Sequence, residues 1–359
     1  MEKILTIIIP SYNMEAYLPK CLGSLIIDNK ELLRKLDVIV VNDGSKDRTS
    51  EIAHEFEAKY PGVFRVIDKA NGHYGSCINA ALPVAEGAYV KVLDADDWFD
   101  TSVFNRYLEF VDGESKKGEF SADLILNDFI FLTESGKIER RFPFVTCNSD
   151  VSVFDYIDRG GGWRDIWMHA IAYKLENLRR IHYVQLTGIT HTDIQWIHLP
   201  MATVRRIAYC KGLLYMYVSD RENNTSNEQA YYRTFHDQLA VFKTLVSEYN
   251  RMSDEVDDYQ KIYLQNHLRH RARRAYWVYL YNCNPLLKKG ALEDFDRFLK
   301  NESSWLYDET GKMCFSGEIP FHFIRVWRRH RRVSLFYYLT MKFFGVVQKL
   351  YGMIKRIVK

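Results

Sequence analysis

Ala88-Tyr89-Val90-Lys91-Val92-Leu93 runs directly into Asp94-Ala95-Asp96-Asp97. An apolar, β-rich run ending in carboxylates predicts a buried strand that delivers oxygen ligands to the edge of a sheet. Such ligands suit a hard divalent cation, Mg2+ or Mn2+, shared with the phosphates of a substrate. An acidic turn that only caps the next helix has the same local signature, so the neighbouring segments must decide.

Upstream, the pattern repeats three times. Leu5-Thr6-Ile7-Ile8-Ile9 leads into Pro10-Ser11-Tyr12-Asn13, and Val38-Ile39-Val40-Val41 into Asn42-Asp43-Gly44-Ser45-Lys46-Asp47. Phe64-Arg65-Val66-Ile67 leads into Asp68-Lys69-Ala70-Asn71-Gly72. Helix-like stretches at 16–27, 49–60 and 75–85 separate them, giving the order β-α-β-α-β-α-β. Near-continuous Val/Ile runs are strands covered on both faces, so the expected fold is α/β: a Rossmann-like, mostly parallel central sheet with flanking helices. In such sheets ligands bind beyond the carboxyl ends of the strands. Asn13, Asp43, Asn71, Asp94 and Asp96 all fall there.

The chain has 359 residues, 47% hydrophobic and 26% charged, which fits a folded main domain plus a smaller unit. Met1-Glu2-Lys3 enters a strand at once and carries no secretory pattern; six scattered cysteines lack Cys-x-x-Cys spacing. Both features lead to the expectation of a reduced, cytoplasmic protein. The net charge of +3 conceals an asymmetry, because no acidic residue follows Glu318 while ten Lys and Arg do. The rest of the chain is left with 39 basic against 46 acidic residues.

Taken in order and in their strand-end setting, Pro10-Ser11-Tyr12-Asn13, Asn42-Asp43-Gly44-Ser45-x-Asp47, Asn71-Gly72 and Asp94-Ala95-Asp96-Asp97 resemble glycosyltransferase family 2, which has the GT-A fold. The resemblance covers about the first 230 residues. It implies that Pro10, Tyr12, Asn13 and Asp43 hold a nucleotide, with Asn71 and Gly72 beneath it. It also implies Asp94 facing ribose and metal, and Asp96 ligating the cation. Uracil N3–H is a donor, so the Asp43 carboxylate suits a UDP-linked donor sugar. The helix-capping reading of Asp43, Ser45 and Asp47 stays open beside it. The chain departs from the commoner family pattern at Ile78, which stands where many members carry arginine.

Transfer also needs a base for the acceptor hydroxyl. By the same resemblance this is Asp193, in Thr190-His191-Thr192-Asp193-Ile194-Gln195-Trp196, with His191 as the nearby rival and a capping role for Asp193 still open. Tyr215-Met216-Tyr217-x-x-x-Arg221 resembles the family's closing motif, in which a basic residue reaches the diphosphate; a surface charge is the other reading of Arg221. Trp163 and Trp167, flanking a triple glycine on one side, offer flat faces to an acceptor sugar or pack in the core.

The expected organisation is a GT-A domain over 1–225, with a nucleotide half (1–100) and an acceptor half (101–225). A helical region follows at 226–324, and a basic amphipathic tail at 325–359. In the tail, Phe336, Leu339, Phe343, Val346, Leu350, Met353 and Ile357 form one apolar stripe, with Lys342 and Lys349 off it. The lysines interrupt any spanning segment, so the tail reads as interfacial on an anionic inner membrane face. A heptad-like spacing leaves a homo-oligomer or a core-docked helix as the rival. The Arg269 to Arg274 run is a helix face rather than a nucleic-acid site. The functional expectation is an inverting, metal-dependent glycosyltransferase acting on a glycan or lipid-linked acceptor in cell-surface polysaccharide synthesis. A degenerate glycan-binding scaffold is one rival. The other, a sugar-phosphate nucleotidyltransferase, wants a glycine-rich basic loop where Pro10 to Asn13 stands.

Overall fold

The structure is a computed structural model that describes residues 2–142, 166–221, 233–282, 290–317, 319–332 and 334–357. Trp163, Cys147, Cys283 and most of the polar run at 220–228 lie outside them. Two compact units are present: Met1–Tyr231 with Val256–Lys261, and Tyr232–Glu255 with Ile262–Lys359.

The first unit is built on one mixed sheet. Its strands are β1 Leu5–Ser11, β2 Leu36–Asn42, β3 Phe64–Asp68, β4 Tyr89–Val92, β5 Trp98–Phe99, β6 Leu124–Leu132, β7 Ile138–Phe142, β8 Ile171–Lys174 and β9 Ile207–Val218. They lie in the order β3-β2-β1-β4-β8-β6-β9-β5, with β7 on β6. The β3-β2-β1-β4 half is parallel, as the Val/Ile runs require, and all seven residues of β2 are buried. From β8 onward pairing alternates: β8 is antiparallel to both β4 and β6, and β6 is parallel to β9.

Helices α1 Leu18–Gly23, α2 Lys30–Arg34, α3 Thr49–Lys59, α4 His73–Ala81 and α5 Thr101–Ser115 cover the parallel half and its edge, and α6 Leu175–Arg180 and α7 Asp193–Trp196 follow β8. Chain direction explains the site. After β1 the chain steps to β2 on one side, while β4 pairs with β1 on the other. That reversal opens a crevice beyond the carboxyl ends of β1 and β4, where the Asp94 triplet emerges.

The second unit is helical: α8 Phe235–Met252, α9 Asp258–Trp277 (entering this unit at Ile262), α10 Ala291–Glu302, α11 Ser304–Lys312, α12 Phe323–His330 and α13 Leu335–Ile357. The boundary expected at 325 falls inside α12, whose Phe323, Ile324 and Trp327 are buried. Trp327 thus anchors the start of the basic stretch to this unit, while Arg325, Arg329 and Arg332 stay exposed. The Arg269 to Arg274 run is only partly solvated: Arg269 stacks on Trp305 and pairs with Glu309, and Arg273 donates to the Phe315 carbonyl. Among the described residues no helix is long and apolar enough to cross a membrane.

Candidate active site

The three turns after β1, β2 and β3 are stitched into one surface. Asn13, held at φ 56°, donates its N–H to Ser45 Oγ (3.0 Å) and accepts the Lys46 N–H on Oδ1 (2.9 Å). Asn71 Nδ2 donates to the Asp43 carbonyl at 3.0 Å. Gly44 needs its glycine, since at φ +74° a Cβ would press on Asn71 N at 3.0 Å. Asp43 is buried, and its Oδ1 accepts from Lys69 Nζ (2.6 Å), Gly72 N (3.0 Å) and Ser76 Oγ (3.4 Å). All three of these bonds fall on Oδ1. The capping work near Thr49 belongs to Asp47 instead, whose Oδ1 accepts from Thr49 N (3.0 Å) and Oγ1 (2.6 Å). Pro10 is half-buried and Tyr12 is exposed at the mouth of this surface.

Across the crevice, the acidic triplet is fixed from three directions. Asp94 Oδ1 accepts from the Tyr74 hydroxyl (3.2 Å), while its backbone N–H donates to Tyr215 Oη (3.1 Å). The same Tyr215 hydroxyl donates to Asp97 Oδ2 (3.0 Å). Arg221 donates to the Asp96 carboxylate and carbonyl and to Asp97 Oδ1 (3.2 Å), with its guanidinium over the Tyr17 ring. Burial, followed by the charges of Asp96 and Asp193, pushes the Asp94 carboxyl up to about 7. Asp97 is driven up by burial and then by Asp96 and Asp94. So much crowded acid is waiting for positive charge.

One ligand atom each from Asp94, Asp97 and His169 lies within 4.8 Å of the other two. Nδ1 of His169 is buried without a hydrogen-bond partner, and burial with the Lys91 charge lowers the ring to about 3, so it is a neutral donor. Two carboxylates and a neutral imidazole fit a divalent cation such as Mn2+. Arg221 donates to the expected ligand Asp96 as it does to Asp97, and the carboxylate that lies with Asp94 and His169 is that of Asp97. His169 is held there by Lys91, a fully buried lysine of β4 that donates to Asn127 Oδ1 (2.8 Å) and to the carbonyls of His169 (2.8 Å) and Ile171 (3.1 Å). Three acceptors satisfy the three ammonium protons, which is what makes its burial tolerable.

Asp193 opens α7 and is half-buried. Burial is the main reason that Asp94, Tyr74 and Tyr183 are raised, and the Asp193 charge adds to each, so it stands on the acidic side of the crevice. The loop that carries it is anchored to α4. Asn79 donates to the Gln185 carbonyl and accepts its N–H, both at 2.8 Å. Gln195 Oε1 accepts from Leu186 N (2.8 Å), Gln185 Nε2 donates to Thr192 Oγ1 (2.9 Å), and Gly188 N donates to the Gly72 carbonyl (3.1 Å). The Asp193 loop and the Asn71-Gly72 turn are thus parts of one hydrogen-bonded body. His191 sits at φ 59° in the same loop. A Cβ on Gly75 would overlap the Leu186 carbonyl. Gly75→Ala is therefore expected to cost about 1–3 kcal/mol, read as a lowered urea midpoint, with turnover falling in step because Asp193 moves.

Trp167 is 41% exposed, beside Phe129, Phe131, Phe142 and His169 at ring distances of 5.6–6.1 Å. It is therefore both an aromatic-cluster member and an open face. Sequence reasoning did not reach His169, Lys91 or the Asn79–Gln185 clasp, and it named Asp97 only as the end of the acidic motif. His73-Tyr74 next to the Asn-Gly turn was a signal for Tyr74, and Lys91 inside an apolar run was a signal for a buried charge.

The family model described as Glycosyl transferase family 2 matches residues 6–120, which carry all four strand-end turns. The uncharacterized glycosyltransferase MG025 of Mycoplasma genitalium is 28% identical over 229 residues, covering 62% of this chain and 70% of its own. The uncharacterized glycosyltransferase EpsJ of Bacillus subtilis is 37% identical over 109 residues, 30% of either protein, so the match spans about a third of that relative. The crystal structure of S. aureus TarS 1-349 superposes with a TM-score of 0.59 at 17% identity, covering 92% of each chain. That likeness speaks for the GT-A type of fold.

Proposed function

We propose, because this chain belongs to glycosyltransferase family 2, that it transfers a sugar with inversion from a UDP-linked donor to a glycan or lipid-linked saccharide in cell-surface polysaccharide synthesis. The observation that carries the reading is the facing pair across the crevice: Asp43 with Oδ2 left for a base N–H, and Asp94 between the metal-competent cluster and Asp193. Pro10, Tyr12, Asn13, Asn71 and Gly72 frame the nucleotide. Their packing supports this frame through the backbone, since the Asn13 and Asn71 side chains are spent on joining the turns.

Asp94, Asp97 and His169, with Asp96 once Arg221 releases it, would hold Mg2+ or Mn2+. When bound, the cation supplies Lewis-acid stabilisation of the leaving diphosphate. Arg221, already in the acidic turn, is placed to exchange the Asp96 carboxylate for a phosphate oxygen. Asp193 takes the proton of the acceptor hydroxyl as that oxygen attacks the anomeric carbon from the face opposite the diphosphate. Trp167 offers its open ring to the acceptor sugar, and His191 lies on the same loop as the base.

Thermal-shift screening of UDP-sugars with and without Mn2+ tests the reading. A ligand at about a hundred times its dissociation constant stabilises by about 2.7 kcal/mol, a shift of several degrees. The shift should need both nucleotide and metal and vanish with chelator. Asp43→Asn should weaken UDP about tenfold or more, as expected for loss of a charge-assisted hydrogen bond. Absence of any metal-dependent shift with every nucleotide sugar would reject the proposal.

A further inference from the structure

The last helix of the second unit has two faces that cannot serve the same purpose. Tyr337 and Met341 are buried, the Tyr337 hydroxyl donates to the Phe323 carbonyl (2.9 Å), and Phe344 packs on Phe315 and Phe321 at 5.6 and 5.2 Å. This side docks α13 onto its unit. The other side is apolar and uncovered: Phe336 is 81% exposed, Leu339 56%, Phe343 62%, Val346 57%, Leu350 54% and Met353 60%. Steps of three and four keep these six in one stripe, about 26 Å long at the helical rise. A stripe of that size left in water is unusual unless something covers it.

Charge says what covers it. Lys342 and Lys349 are seven residues apart and follow Leu339 and Val346 by three, so both stand on one shoulder of the stripe. Lys342 sets its ammonium beside Tyr281 and Tyr338, with Nζ 4.3 and 5.4 Å from the ring centroids. Arg325, Arg329 and Arg332 are exposed just upstream, and the chain has no acidic residue after Glu318. A stripe of aromatic and aliphatic side chains edged by cations, with no anion in the helix, matches the boundary between anionic headgroups and acyl chains. A self-pairing helix would instead carry both signs at its edges to relieve repulsion between copies. The 23-residue helix also fails the requirement for a spanning segment, which leaves it lying in the surface plane.

We propose that α13 is a membrane-surface helix that seats the protein on an anionic phospholipid bilayer by the Phe336–Met353 stripe, with Lys342 and Lys349 at headgroup level. This stands apart from the donor chemistry, and its test does not use transferase activity. The full chain is floated with vesicles of phosphatidylcholine, with or without phosphatidylglycerol, and its mass is measured in parallel without lipid. Wild type should float with the mixed vesicles and much less with phosphatidylcholine alone. Phe336→Ser/Phe343→Ser/Leu350→Ser, all at exposed positions, should lose at least about tenfold in binding with an unchanged melting temperature. Should that variant misfold, Lys349→Ala gives the second reading, an approximately fivefold loss that grows at low salt. The proposal is overturned if wild type ignores anionic vesicles, or if the serine variant and Lys349→Ala float like wild type. It is also overturned if the serine changes only convert a dimer to a monomer, since the stripe would then belong to a second copy.

Discussion

Asp193→Asn is expected to lower turnover by about 10²–10⁴-fold while leaving UDP affinity within about twofold. Proton acceptance is lost, because an amide oxygen is a far weaker base than a carboxylate, but the position is kept. Thr192, Gln195 and the Asn79–Gln185 clasp hold the loop without using the Asp193 side chain. The substitution has a second consequence. Asp193 is one of the charges that push the Asp94 carboxyl up to about 7. Removing it lets Asp94 ionise at lower pH but also takes away a negative charge that attracts the cation, two effects of opposite sign, so Mn2+ affinity near neutrality should change little. A catalytically dead enzyme with unimpaired metal and donor binding is what a base predicts, whereas a purely structural residue would lose all three together. His191→Ala, by contrast, should lose less than about tenfold in turnover. Residual turnover above about a tenth of wild type in Asp193→Asn, measured with saturating donor, would remove Asp193 from the role.

The parallel half of the sheet was legible because each of its strands writes its own burial into consecutive residues. Ile7-Ile8-Ile9 and Val38-Ile39-Val40-Val41 admit few other readings, and their turns fall at the strand ends where a crevice forms. The mixed-direction part from β6 to β9 left a weaker trace, since a strand such as β9 is only partly buried and lacks a continuous Val/Ile run. The site was legible where a motif is contiguous, as in Asp94 to Asp97, and illegible where it is assembled from afar. His169 comes near Asp94 because it immediately precedes β8, which pairs with β4, and Lys91 of β4 holds its carbonyl from 78 residues away. Asn79 meets Gln185 over 106 residues. Neither pairing has a periodicity to announce it. The tail misled for a different reason. Its stripe at Phe336 to Met353 is one-sided in the sequence and uncovered in the fold, but of the arginines just before it Arg328 and Arg331 complete an internal ion cluster that no periodicity announces.

That cluster sets the second large expectation: Asp296→Ala should destabilise the helical unit by about 3–5 kcal/mol. Asp296 is 1% exposed on α10. Its Oδ1 accepts from Arg328 Nε (2.7 Å) and the Tyr276 hydroxyl (2.6 Å), and its Oδ2 from Arg331 Nη1 (2.6 Å). Arg328 spends its remaining donors on the Tyr307 carbonyl (2.7 Å), Tyr276 Oη (2.9 Å) and Thr310 Oγ1 (2.9 Å), with its guanidinium 3.6 Å from the Tyr307 ring centroid. One carboxylate therefore neutralises the cation through which α9, α10, α11 and α12 meet. Deleting it strands a guanidinium whose side chain is 11% exposed, and the cost is the uncompensated buried charge rather than the value of one hydrogen bond. Arg331 contributes less, being about half exposed and screened. The comparison that isolates the charge is Asp296→Ala with Arg328→Met, in which no ion is buried; it should recover a substantial part of the loss. Urea unfolding of each variant, followed by hydrogen exchange of the Phe323–His330 amides, reads both effects locally. An Asp296→Ala protein whose α12 amides exchange within about 1 kcal/mol of wild type would mean that the arginine finds water, and that the cluster is ornament to a core already made by Phe323, Ile324 and Trp327.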